Sequence, residues 1–257
     1  MPPSNAKTAL GQPFIELSAV ESTNIYAMDH LQANLAAHGI AFFAHHQTAG
    51  IGQRGKKWIS EPGSNIVMTV IIDCSFLSIS NPFPLSLMAA LACRDFFSRY
   101  VPEDIFIKWP NDLYWRDRKA GGVLIQNKVR GNKWLWGVVG IGININQVLF
   151  PEFLINPVSL KQITGKNHHP VDLAKELCEC LEFRYKQLTT GLCKEMLSQY
   201  NQHLYKRGEV VTLKKETLSF PCLIISVSAR GELLVSGGEQ EHFGFDEVEW
   251  VLDKSGK

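Results

Sequence analysis

Residues 105–145 read IFIKWPNDLYWRDRKAGGVLIQNKVRGNKWLWGVVGIGINI. β-Branched and aromatic residues dominate this stretch, and no 3.6-residue apolar period runs through it. Strands are predicted at 105–109, 113–115, 121–127 and 134–145, with Arg116-Asp117-Arg118 and Arg130-Gly131-Asn132 suited to hairpin turns. Strand following strand predicts an α+β domain built on a mixed, mostly antiparallel sheet with helices on one face. It argues against the strict βα alternation of a dinucleotide-binding fold.

Working outward, 40–46 and 65–72 read as two earlier strands. Ser22 or Thr23 can cap a helix over 22–37 that Gly39 ends, and Pro82 and Pro84 introduce an apolar helix over 85–100. Residues 147–169 read as a surface connection, and amphipathic helices are expected at 171–188 and 192–203. From Gly208 the pattern changes to short strands at 210–213, 222–225, 233–235 and 248–251, which predicts a small β-barrel. The chain therefore divides into 1–205 and 206–257. Residues 1–16 are expected to be a loosely held polar arm, far too short for a DNA-binding domain.

The 257 residues carry a net charge of +1, with 45% hydrophobic and 20% charged residues. Nothing in that balance draws the chain to nucleic acid or to a membrane surface, so any basic site must be local. The six cysteines have no disulfide-framework or metal-ligand spacing, and no signal peptide or membrane span is evident. A cytoplasmic protein is expected.

A local basic site is present at Gln47–Trp58, QTAGIGQRGKKW, where three glycines and three cations share one loop. Gly50, Gly52 and Gly55 let backbone N–H groups approach a ligand, and successive amides in such a turn make an anion-binding concavity. Arg54, Lys56 and Lys57 add full charges, and Trp58 offers a flat face for a ring. The spacing is not that of a Walker loop.

Four segments taken together with the glycine loop resemble biotin–protein ligases: Glu21-Ser22-Thr23-Asn24, Lys108-Trp109-Pro110-Asn111-Asp112, Arg118-Lys119-Ala120-Gly121-Gly122, and Gly140-Ile141-Gly142-Ile143-Asn144. The resemblance is dense over about 18–147 and loose elsewhere. It implies a class II synthetase-like catalytic domain with an SH3-like C-terminal barrel. The implied activity uses ATP and Mg2+ to convert biotin to biotinyl-5'-AMP, then transfers biotin to a lysine of a biotin carboxyl carrier protein or domain.

The same resemblance implies roles for individual residues. Lys119 is the catalytic lysine, contacting the carboxylate of biotin and the α-phosphate. Biotin is expected against Ser22, Thr23, Asn24, Gln47, Gly50, Ile51, Gly52, Gln53, Lys119, Gly122 and Gly140. The nucleotide is expected against Arg54, Gly55, Lys57, Trp58, Lys108, Asn111, Asp112 and Asn144, with Asp112 the candidate Mg2+ ligand. Trp109, beside Pro110, is expected in the core. The sequence departs from the family pattern at Ile51 and Gln53, where arginines are usual. A lipoyl ligase or acyltransferase of the same fold and a non-catalytic biotin-binding relative are the alternatives, and the sequence leaves a monomer or a homodimer open.

Overall fold

The computed structural model describes residues 8–35, 37–238 and 240–252. Its larger sheet has seven strands in the order β1-β2-β3-β7-β6-β5-β4. These are β1 (Phe14–Leu17), β2 (Ala41–Ala44), β3 (Ile66–Asp73), β4 (Ile105–Lys108), β5 (Asp112–Trp115), β6 (Arg118–Arg130) and β7 (Lys133–Ile143). β1 runs parallel to β2, and the other neighbours are antiparallel. The α+β class and the mostly antiparallel, mixed sheet are as expected. β6 runs past both its predicted ends because it pairs with β5 from Arg118 and with β7 out to Arg130 opposite Lys133, whereas β7 starts one residue earlier and stops two residues earlier than predicted.

The arm is the first correction. Only residues 1–7 of it fall outside the described residues; beyond them, Leu10 is buried, the Gly11 amide donates to the Gly39 carbonyl at 2.7 Å, and Phe14–Leu17 forms the edge strand. Helix α1 (Thr23–Gln32) is shorter than predicted, because Asn34 turns the chain with φ 56°. Ser22 occupies the N-cap position without a side-chain capping bond.

Helices cover both faces, not one. β3 is buried along almost all its length, as a continuous Ile-Val-Met-Thr-Val-Ile-Ile run requires. Ala27 and Leu31 of α1 pack with Phe42, Ile71 and Val138. The alternate residues Val70, Ile72 and Val139 face the other way, towards α2 (Phe83–Ser98) and α4 (Pro170–Thr189). α5 (Cys193–Gln202) follows α4. The connection over 147–169 holds a further short helix, α3 (Leu160–Thr164), with a Ser159/Gln162 capping box and Gly165 left-handed at its end.

The C-terminal region is a five-stranded antiparallel sheet in the order β11-β10-β9-β8-β12, in keeping with an SH3-like module. Its strands are β8 (Val210–Lys215), β9 (Leu218–Val227), β10 (Leu233–Ser236), β11 (His242–Phe243) and β12 (Glu249–Trp250). Leu213, Ile224, Leu233 and Phe243 belong to the same apolar cluster as α2 and β4. Trp109 is 1% exposed and donates its indole N–H to the Gly231 carbonyl at 2.8 Å, so it is a core residue that ties this module to the larger sheet.

Candidate active site

Paired residues of neighbouring antiparallel strands share a face, so register alone places the motifs. Lys108 pairs with Asp112, Asp112 with Gly122, Gly122 with Gly142 and Gly142 with Val67. The adjacent row runs Leu124, Gly140, Thr69, Phe42. Both rows lie on the face that carries α1. Segments far apart in the chain are thereby drawn onto one surface, open where glycines withhold side chains.

Those hollows are filled by specific neighbours. A Cβ on Gly140 would collide with the Asn24 side chain, and one on Gly142 with the Trp58 indole. Gly140 was expected to leave room for a ligand ring; instead it admits Asn24, a residue of the same motif set. A Cβ on Gly122 would come 3.0 Å from Asp112 Oδ1 and 3.5 Å from Lys119 Nζ, so this glycine makes room for the charged pair.

Under α1 lies a buried polar network. Thr69 Oγ1 donates to Asn24 Oδ1 at 2.6 Å and also lies 2.8 Å from Thr23 Oγ1. Gln47 Oε1 accepts from the Thr23 amide at 2.9 Å, and Asn24 Nδ2 donates to Gln126 Oε1 at 3.1 Å. Ser22, Thr23, Asn24, Gln47 and Thr69 are all buried. Polar groups withdrawn from water must be partnered, and this network holds several amide and hydroxyl groups in fixed directions. Thr69 and Gln126 were missed from sequence. The signal for Thr69 was a lone polar residue inside an otherwise apolar strand.

Beyond the network sit the cations. Lys119 Nζ is 2.7 Å from Asp112 Oδ1, and both side chains remain partly accessible. Lys108 is buried, with its ammonium 5.6 Å from the Tyr114 ring centroid and 5.1 Å from that of Trp250. Burial lowers its pKa to about 8, against the opposing pull of Asp112. The glycine loop folds as a small hairpin. The Gly52 amide donates to the Lys56 carbonyl at 2.6 Å, the Trp58 amide donates to Gly50 at 2.9 Å, and Gln53–Gly55 form a 3-10 turn at the tip. Gln53, Gly55, Lys56 and Lys57 are exposed there, while Ile51 is half-buried and bridges to Lys57.

Three expected nucleotide contacts are otherwise engaged. Asn111 is buried and its amide donates to the Val123 carbonyl. Asn144 donates to the carbonyls of Val158 at 3.1 Å and Lys119 at 3.4 Å, bracing the backbone beneath the Lys119 side chain. Arg54 is turned towards the C-terminal module: its guanidinium reaches Asp246 at 3.2 Å, Glu249 at 3.0 Å, and the carbonyls of Phe245 and Val248 at 2.8 and 3.0 Å. These C-terminal residues were also missed from sequence.

No group of three or more His, Cys, Asp or Glu side chains among the described residues could hold a metal. A lone carboxylate already paired with Lys119 suits Mg2+ only as an ion borne mainly by substrate phosphates and water. Among the described residues no helix is long and apolar enough to cross a membrane.

A mixed sheet carrying a buried amide-and-hydroxyl network beside a cluster of cations defines the class: an α+β domain whose one site can meet a polar ring and an anion side by side. Residues 17–144 match the Biotin/lipoate A/B protein ligase family, and the chain belongs to it. It is 30% identical over 184 residues to the bifunctional ligase/repressor BirA of Bacillus spizizenii, covering 70% of this chain and 56% of that protein. Against the biotin–[acetyl-CoA-carboxylase] ligase of Paracoccus denitrificans it is 25% identical over 228 residues, covering 86% of this chain and 93% of that protein. The biotin protein ligase of Aquifex aeolicus, solved in complex with biotin and ATP, superposes with a TM-score of 0.74 at 25% identity over 93% of this chain and 95% of that one. The chain spans about half the length of the BirA proteins it matches.

Proposed function

We propose that this protein is an ATP-dependent biotin–protein ligase that forms biotinyl-5'-AMP and passes biotin to a lysine of a carboxyl carrier domain, acetyl-CoA carboxylase being the natural class of acceptor. The observation that carries the reading is the adjacency of the two register rows. One bears the buried Thr23/Asn24/Gln47/Thr69 network, the other Lys108, Asp112 and the Gly122 hollow that seats Lys119. A neutral ureido ring offers N–H donors and a carbonyl acceptor to fixed amides and hydroxyls, and its valeryl carboxylate needs a cation a short chain away.

In the first step a carboxylate oxygen attacks the α-phosphorus of ATP and pyrophosphate departs. Negative charge gathers on the α-phosphoryl oxygens, where the Lys119 ammonium and the amides of the glycine loop can stabilise it. Before substrate arrives, Asp112 holds Lys119 in place at 2.7 Å; the pair forms on adjacent strands and needs no rearrangement to present the ammonium. Trp58, seated on Gly142, supplies a wall for the adenine side. Mg2+ would ride on the phosphates and neutralise them, with Asp112 as the candidate ligand. In the second step the acceptor lysine's neutral amine attacks the acyl carbon and AMP leaves.

Lipoyl transfer on the same fold is the rival reading. The buried network supports biotin, because a dithiolane ring has no N–H or carbonyl with which to answer those groups. Incubating the purified chain with Mg-ATP, a carrier domain and either labelled biotin or labelled lipoate decides between them. Label from biotin alone is expected in the acceptor lysine, and an unlabelled acceptor with biotin would overturn the proposal.

A further inference from the structure

The side chain that the sequence places most naturally on a phosphate is directed away from the site. Arg54 has φ 54°, a left-handed conformation that non-glycine residues rarely adopt, and its guanidinium meets two carboxylates and two main-chain carbonyls, all within residues 245–249. Exposed ion pairs contribute little by themselves, and Asp246 and Glu249 are 86% and 54% exposed. The two carbonyls fix direction, and a planar guanidinium whose donors are so occupied is a geometric link between two segments.

The same C-terminal segment reaches the second cationic motif. Phe245 stacks on Trp109 with centroids 5.7 Å apart and planes at 15°, and Trp250 lies over the Lys108 ammonium. The Trp250 indole nitrogen is buried with no hydrogen-bond partner, so packing rather than bonding holds that ring. One segment therefore touches both the basic loop and the strand end that carries Lys108.

We propose that Phe245–Trp250 is the positioning element of the active site, and that Arg54 is a positioning residue, a strut between this segment and the glycine loop, not a ligand of phosphate. The role in catalysis rests on the ligase reading above; the mechanical link does not. With Arg54 anchored, the loop amides of 50–57 keep the hairpin geometry that a phosphate would meet, and the remaining loop cations, Lys56 and Lys57, supply the charge.

The test uses the full chain in three variants: Arg54→Ala, the double carboxylate change Asp246→Asn/Glu249→Gln, and all three changes together. Backbone amide hydrogen exchange over 50–57 is measured without ligand, with β6 and β7 as an internal standard that each variant is folded. A strut predicts exchange in the loop about 10-fold faster in both Arg54→Ala and the carboxylate variant, unchanged exchange in β6 and β7, and no further gain in the triple variant. KM for ATP in pyrophosphate exchange should rise in parallel in both. Native loop exchange in the carboxylate variant, or a rise in KM for ATP confined to Arg54→Ala, would overturn the proposal and return Arg54 to direct phosphate binding. If no variant, including the parent, exchanges pyrophosphate, the ligase reading fails while the amide data still decide the strut.

Discussion

Lys119 sits where two requirements meet. In the proposed ligase its charge must reach the α-phosphate and the acid, and its conformation must be set before either arrives. The Asp112 carboxylate 2.7 Å away sets it, and Gly122 gives the pair room. Removing one such pre-aligned donor from a transition state typically costs about 10²–10³-fold in rate. Lys119→Ala is therefore expected to slow biotin-dependent pyrophosphate release by about 10²-fold or more with little change in melting temperature, measured by rapid quench; near-native release would remove the lysine from its role. Ile51 is the opposite case, a neutral side chain at a position where the resemblance to biotin–protein ligases leads one to expect a cation. Arg54, engaged with the C-terminal segment, does not stand in for it. One charge-assisted bond is worth about 1.5–3 kcal/mol, so Ile51→Arg should slow dissociation of preformed labelled biotinyl-AMP by about 10- to 100-fold. Equal dissociation rates in a chase experiment would show that the loop closes by other contacts. Of these residues, Lys119 and Asp112 stood out in the sequence through the resemblance to biotin–protein ligases of the motifs that carry them, since a hairpin lysine by itself is most often a solvated one. The direction of Arg54 was not, since nothing in a basic loop tells which of its cations faces outward.

At the level of elements, the sheet delivers the site through register. Gly140 and Gly142 stand two residues apart on β7, and their missing side chains are occupied by Asn24 from α1 and Trp58 from the loop. The strands themselves were readable from their β-branched runs, and their antiparallel order from the absence of helices between them. What the sequence did not show was that α1 lies on the opposite face from α2 and α4. β3 is apolar on both sides, so its periodicity carries no sign of which helix covers which face. The capping box of α3 was present in the letters Ser159 and Gln162, but a helix this short has no periodicity to announce it. Thr69 is the element-level test, because its hydroxyl joins α1 to β3 through Thr23 and Asn24. Thr69→Val keeps the shape and leaves buried Asn24 Oδ1 without that donor. A loss of about 1–3 kcal/mol of stability is expected by chemical denaturation, together with weaker biotin binding by calorimetry. Unchanged values for both would show that the network is idle.

For the whole molecule, two sheets share one apolar core, and Trp109, next to Lys108, is bonded across their junction. The C-terminal strands were foreseen as a small barrel too small to be very stable alone, and their burial against β4 and α2 accounts for how 50-odd residues of short strands are held. Which of their residues lie against the basic loop, Phe245–Trp250, was not legible, because contacts between residues nearly 200 positions apart leave no local pattern. The central claim is that this arrangement activates the carboxylate of biotin at the α-phosphate of ATP. Exchange of labelled pyrophosphate into ATP by the purified full chain, with biotin, with lipoate and with neither acid, tests it most directly. The account predicts exchange that depends on biotin and is absent with lipoate or without acid; exchange with lipoate instead of biotin, or none with either, would contradict it.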